Sequence, residues 1–301
     1  MTRFSIAALC LCLGLWFAHL EPPATASDDM ALEKVLALLE SSPTGKSMIE
    51  KAMRVWNLHS RDELHSRIKW GSASKTDAVL IRHYDAETGK EVRERKVTIY
   101  LRHDQPSTDL MLDLAHELVH ATSKPSWDPY DPMLTAGGYI HAAIDGEGGE
   151  VDAVRVECQV SHEIFGDRSS SPSAARCKHY SLLDQKAATE MIRKDFYRVG
   201  RWMKDLKQQL GSETGLFPYL SKERPSLYSS TGGAPYPVAL YQEYRQMTAV
   251  ACENTRRRAP ASAPERSPKR SPERSNERSD LAEADLAHES SVRLFLAHRC
   301  R

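Results

Sequence analysis

Leu114-Ala115-His116-Glu117-Leu118-Val119-His120-Ala121 is an H-E-x-x-H sequence set in an apolar frame. On a helix, residues four apart lie one turn apart on the same face, so the imidazoles of His116 and His120 can reach one metal ion. Glu117 follows the first histidine directly, where its carboxylate can take a proton from a metal-bound water. Leu110, Met111, Leu114, Leu118 and Val119 surround these groups. A helix that buries such residues needs a reason to carry histidines and a glutamate among them, and a metal is a good reason. Asp113 and Thr122 are polar where apolar residues would complete the frame.

Upstream of this stretch, Ala78–Tyr84 and Val92–Arg102 read as two strands rich in β-branched residues, joined by the turn-like Asp85–Lys90. Pro106-Ser107-Thr108 leads into the H-E-x-x-H helix, with Ser107 or Thr108 as its expected N-cap. Earlier still, apolar residues at helical spacing run from Asp28 to Leu58, and Ser41-Ser42-Pro43-Thr44-Gly45 divides them into two helices. Thr44-Gly45-Lys46-Ser47 imitates the end of a phosphate-binding loop. Glu40 holds the place of the first glycine and the flanks are helical, which excludes nucleotide binding there.

Downstream, Ser123–Gly149 is rich in Pro and Gly and reads as a long loop; Trp127, Tyr130, Tyr139 and His141 suit a folded loop lining a cleft. Glu150–Phe165, Leu182–Leu210 and Val238–Thr255 carry helical periodicity, with a loop over Phe217–Pro237. The expected fold is α+β and mostly helical, with a small β-sheet preceding the H-E-x-x-H helix. Strand, strand, then that helix resembles the order of a zincin-like catalytic domain.

A catalytic zinc takes three protein ligands and a water. Downstream candidates for the third are Glu147, Glu150, Asp152, Glu157, His141 and His162. Gly149-Glu150-Val151-Asp152-Ala153 opens a helix on a glutamate, and Ala153, one turn on, lets two helices approach closely. This E-x-x-A start, together with H-E-x-x-H, resembles the gluzincin metallopeptidases, the thermolysin-like clan; the likeness spans residues 97–165. The resemblance implies one Zn2+ per chain held by His116, His120 and Glu150, with Glu117 as general base, acting on a protein or peptide substrate. Glu147 is the alternative third ligand. Many gluzincins place an Asp four residues after the third ligand to orient a ligating histidine. Val154 stands there instead, which leaves Asp152 or Asp113 for the role. His141 is the candidate oxyanion donor, beside Tyr139 and His162. Ser123 and Ser126 exclude the metzincin pattern, which needs Gly and His at those places.

Residues 1–26 read as a signal peptide: Arg3, an apolar run from Phe4 to Leu20, and Ala24-Thr25-Ala26 as cleavage site. They imply export to the periplasm or beyond the cell, with no stable membrane insertion after cleavage. The metallopeptidase domain is expected over residues 27–257. Residues 258–301 read as a disordered Ser/Pro/Arg/Glu-rich tail, in which Leu294-Phe295-Leu296 can dock locally, tethered by Cys300. Formal net charge is +0, so nothing electrostatic points to nucleic acid. The mature chain keeps Cys158, Cys177, Cys252 and Cys300, enough for two disulfides with three possible connectivities; Cys158–Cys177 is the expected pair. The leading expectation is an exported zinc peptidase. Its alternatives are a catalytically inactive zincin-like binding protein and a zincin-type effector or toxin. The sequence leaves the oligomeric state open.

Overall fold

A computed structural model describes residues 26–85, 90–166, 168, 171–181, 184–230, 233–258 and 293–300. The expected signal peptide, apart from its last residue, and residues 259–292 of the expected tail lie outside the described residues.

Two helices come first, α1 (Ala26–Glu40) and α2 (Pro43–Val55), divided where the Ser-Ser-Pro-Thr-Gly sequence predicts. Ser42 caps α2 by accepting from the Gly45 amide, and Pro43 occupies the first turn, where its missing N–H costs nothing. A short helix α3 (Arg61–His65) precedes a three-stranded sheet. The expected strand pair is present as β2 (Lys75–Asp85) and β3 (Lys90–Arg102), antiparallel from Lys75↔Tyr100 to Asp85↔Lys90. A strand that the sequence reading did not include, β1 (Ile68–Gly71), pairs parallel with β3. Its four residues are too few for alternation to stand out.

The H-E-x-x-H sequence forms α4 (Ser107–Thr122). Its N-cap is Pro106, which makes no side-chain cap, rather than Ser107 or Thr108; the Pro106 carbonyl accepts the first helical bond from Leu110. Leu112, Leu114, Ala115 and Leu118 are fully buried. Thr122, polar in the apolar frame, is buried with its hydroxyl donating to the Leu118 carbonyl.

The long loop expected over Ser123–Gly149 contains a helix, α5 (Ala136–Asp145), capped by the Thr135 hydroxyl on the Gly138 amide. Its two glycines disguised it. Gly137 serves packing: a Cβ there would lie 2.6 Å from the Glu213 carboxylate, which instead accepts from the Gly137 amide. Helix α6 (Glu150–Phe165) follows as expected, then α7 (Pro172–Ser181), which the sequence reading lacks. The helical stretch expected over Leu182–Leu210 is broken into α8 (Gln185–Phe196), a 3-10 turn at Gly200–Trp202 and α9 (Met203–Leu210). The break falls where Tyr197 and Val199 exchange backbone bonds with Ser221, which takes them out of the helix. Helix α10 (Tyr236–Arg258) begins two residues before the expected Val238.

The described residues are therefore α+β and mostly helical, with the small sheet ahead of α4. They build two large apolar cores and a small third cluster of Ala251, Cys252 and Phe295. One gathers α1, α2, the sheet, α4 and the Ala153–Val160 face of α6. The other gathers α5, the Val151–Val154–Cys158 face of α6, and α7 to α10. Helix α6 thus lies on the seam, packed on α4 along one side. Disulfides join Cys158 to Cys177, the expected pair, and Cys252 to Cys300. At the far end of the expected tail, residues 293–299 are helical and Phe295 is buried beside Tyr130, so the Leu-Phe-Leu segment docks where Cys300 tethers it. Among the described residues no helix is long and apolar enough to cross a membrane.

Glu163 ties the end of α6 to the start of α2. Its carboxylate accepts from the Ser42 hydroxyl, and from the Thr44 amide at 2.9 Å and hydroxyl at 2.5 Å. Partial burial pushes its pKa up, but these bonds and one from Gln159 outweigh it and hold the group at about 2. A carboxyl depressed in the folded state stabilises above its ordinary pKa, and the contribution fades as pH falls toward the folded value. Urea unfolding of wild type is expected to lose stability from about pH 5 down to about pH 2, and Glu163→Gln is expected to reduce that loss. Identical pH profiles for the two proteins would refute the link.

Candidate metal centre

His116 and His120 project from one face of α4, and Glu150 faces them from the first turn of α6. The two Nε2 atoms are 3.2 Å apart. The Glu150 carboxylate reaches His116 Nε2 at 3.3 Å and His120 Nε2 at 3.6 Å. One ligand atom from each of the three lies within 4.8 Å of the others, so the group can hold a metal ion.

The remaining contacts fit that use. His116 Nδ1 faces Glu157 Oε2 at 3.2 Å, and His120 Nδ1 faces the Gly148 carbonyl at 2.8 Å. With both Nδ1–H groups donating outward, each neutral ring turns an Nε2 lone pair toward the other. Two facing lone pairs repel unless a cation, or a proton, lies between them. Glu150 places one oxygen beside each histidine, Oε2 by His116 Nε2 and Oε1 by His120 Nε2. Charge leads the same way. Burial disfavours an imidazolium at His116, yet Glu150 and Glu157 overcome it and hold its pKa well above the ordinary histidine value. Burial likewise raises both carboxyls. Glu150 is pulled below the usual range by His120 and His116, and Glu157 by Arg176 and then His116. These carboxylates demand positive charge, which a proton or a metal cation supplies.

Gly148 is required for the His120 contact. Its φ is +69°, and a Cβ there would lie 2.1 Å from that of Ser123. Only glycine brings the chain close enough to α4 for this carbonyl to meet the ring. Ala153 is fully buried at the helix crossing, as a small residue there predicts.

The structure brings together His116, His120 and Glu150. Glu147 is exposed and does not join the group. The role of orienting a histidine falls to Glu157 rather than to Asp152 or Asp113. Asp152 accepts from the Gly148 amide at 3.1 Å, and Asp113 accepts from the Ser74 hydroxyl. Glu157 lies seven residues after Glu150, two turns along one helix face, so the spacing carried a signal. Glu117 is buried, and Thr76 of β2 donates to its Oε2 at 2.7 Å.

His141 is exposed on α5, where it lines a surface cavity of about 310 Å³ with Asp145, Arg193, Tyr197 and Tyr219. His162 is exposed on α6. The Tyr139 ring packs edge-on against Trp127, and its hydroxyl faces Glu243. Tyr236, absent from the sequence reading, faces Glu150 from the start of α10, its ring held edge-on by Phe196 at 4.8 Å. Burial, then the Glu150 and Glu117 carboxylates, push its pKa well up, so the phenol keeps its proton. In sequence it is one aromatic between Pro235 and Pro237, without a periodic pattern to mark it.

Comparison of the chain with protein-family models, curated proteins and solved structures finds no match.

If the third ligand is Glu150, Glu150→Ala lowers divalent-metal affinity sharply in a chelator competition, while Glu147→Ala binds as wild type does. Loss at Glu147 alone would reverse the assignment.

Proposed function

We propose that the chain is an exported, gluzincin-type zinc metallopeptidase with a zincin-like fold, hydrolysing peptide bonds in protein or peptide substrates. The observation that carries this reading is the convergence of His116, His120 and Glu150 beside the Glu117 carboxylate. Zinc is the metal favoured by the donor set. Tetrahedral zinc with ligands at about 2.0–2.2 Å spaces them about 3.3–3.6 Å apart. The two Nε2 atoms here, 3.2 Å apart, lie close to such an edge, and each has one of the two Glu150 oxygens within 3.6 Å, Oε2 at His116 and Oε1 at His120. Two histidines and one carboxylate also leave a fourth position, as catalytic zinc sites do.

When bound, zinc supplies Lewis acidity that lowers the pKa of a coordinated water toward about 7. The chain's own residues do the rest. Glu117 takes the proton from the attacking water and passes it to the leaving amine. The hydrogen bond from Thr76 holds the Glu117 carboxylate from the β2 side. Glu157 and the Gly148 carbonyl fix the orientation and tautomer of the two histidines. Tyr236, protonated and beside Glu150, is the group we assign to donate to the developing oxyanion. It replaces His141 in that role, since His141 lines the cavity with Arg193 and Tyr219. An extended peptide can add to β2, the outer strand of the sheet order β1-β3-β2, on the side of the sheet that carries Thr76 to Glu117.

The two disulfides support export, because such bonds persist in oxidising compartments.

Zinc-loaded protein is expected to cleave a quenched fluorescent peptide library. Glu117→Gln should retain zinc and lose hydrolysis, and Tyr236→Phe should lower kcat about 10²–10³-fold with zinc retained. Cleavage by Glu117→Gln at the wild-type rate would overturn the mechanism, and unchanged kcat in Tyr236→Phe would remove that residue's role.

A further inference from the structure

Glu157 is 1 % exposed and uses both carboxylate oxygens: Oε2 faces His116 Nδ1, and Oε1 accepts from Arg176 Nη2. Arg176 comes from α7, a helix that holds none of the three metal-binding side chains. The next residue on each helix is a cysteine. Cys158 follows Glu157, Cys177 follows Arg176, and the two are bonded with their Cα atoms 4.8 Å apart. The ion pair and the disulfide therefore join α6 to α7 at one level, side by side.

The juxtaposition has an energetic consequence. A carboxylate this buried is costly without a cationic partner. If Arg176 leaves, Glu157 must draw on His116 alone, find a proton, or turn toward solvent; each changes what holds the imidazole. The Arg176 side chain as a whole is only partly covered, at 37 % exposure, and its carrier is one ten-residue helix. A covalent tie one residue away removes the freedom of α7 to slide or swing from α6.

We propose that Arg176 is a positioning residue for the metal centre, acting through Glu157 on His116, and that the Cys158–Cys177 crosslink keeps it there. The inference rests on the metal-site reading above. It assigns the disulfide a task beyond general stability: it sets the affinity of His116 for its metal. Cys252–Cys300 has no such link. It fastens residues 293–300 to α10, and Arg299 there bonds the Leu134 carbonyl and the Thr248 hydroxyl.

The test is zinc affinity of the full chain, measured by competition with a chromophoric chelator, beside urea unfolding of the metal-free protein. Arg176→Gln and the pair Cys158→Ala/Cys177→Ala are each expected to weaken zinc binding about tenfold or more. Arg176→Lys is expected to recover part of the loss, and Cys252→Ala/Cys300→Ala to bind as wild type does. Adding Arg176→Gln to the Cys158/Cys177 variant should cost little further, because both changes break one chain of contacts. Wild-type affinity in both Arg176→Gln and the Cys158/Cys177 variant, whatever their stability, would overturn the proposal. If the cysteine variant does not fold, Arg176→Gln, which keeps both disulfides, decides the role of Arg176, and the crosslink is then judged by Cys177→Ser in 1 M trimethylamine oxide. A wild-type chain that takes up no zinc overturns the metal-site reading and this inference together; equal affinities across zinc-binding variants overturn this inference alone.

Discussion

Two half-buried histidines meet a half-buried and a fully buried glutamate where α4 crosses α6, and the surrounding structure is organised to make that tolerable. Each ion taken out of water costs several kcal/mol even after relaxation. The cost is met locally: His116 bridges Glu150 and Glu157, His120 finds the Gly148 carbonyl, and Glu157 finds Arg176. A cation held by His116, His120 and Glu150 would complete this balance, since their ligand atoms converge.

The crossing also explains the plan of the fold. Helix α4 belongs to the first core, with the sheet and the two leading helices. Helix α6 belongs to both cores, turning Ala153 and Val160 to one and Val151, Val154 and Cys158 to the other. Polar groups on the seam are held from both sides. Thr76 reaches Glu117 from the β2 side, and Tyr236 reaches Glu150 from the α10 side. Such close-packed supports keep ligand geometry narrow, which a site of this kind requires.

The residues around the proposed reaction divide by distance from its centre. Glu117 and Tyr236 would touch the reacting atoms. Thr76, Gly148, Glu157 and Arg176 act by holding other groups, each through a contact that the fold makes from a different element. Glu150 and Glu157 on α6 illustrate the division: Glu150 turns its oxygens to the two Nε2 atoms, whereas Glu157, two turns on, is engaged by His116 Nδ1 and by Arg176.

The helical period alone determined that His116 and His120 share a face with Glu117 beside them, because that spacing is local. The glutamate that opens α6, the alanine at the crossing, the β2–β3 pair and the Cys158–Cys177 bond were legible for the same reason: each is a short-range pattern or a pair on neighbouring elements. Helix α5 was hidden because its Gly137 and Gly138 serve close packing and capping rather than a loop. β1 was too short to show a period. The contacts of Tyr236 and Arg176, and the cavity that His141 lines, were decided only by tertiary structure. They depend on which side of α6 faces α4, which faces α7 and α10, and where α5 directs its outer face. Those are long-range packing choices, made by two cores meeting on one helix, and no local spacing encodes them.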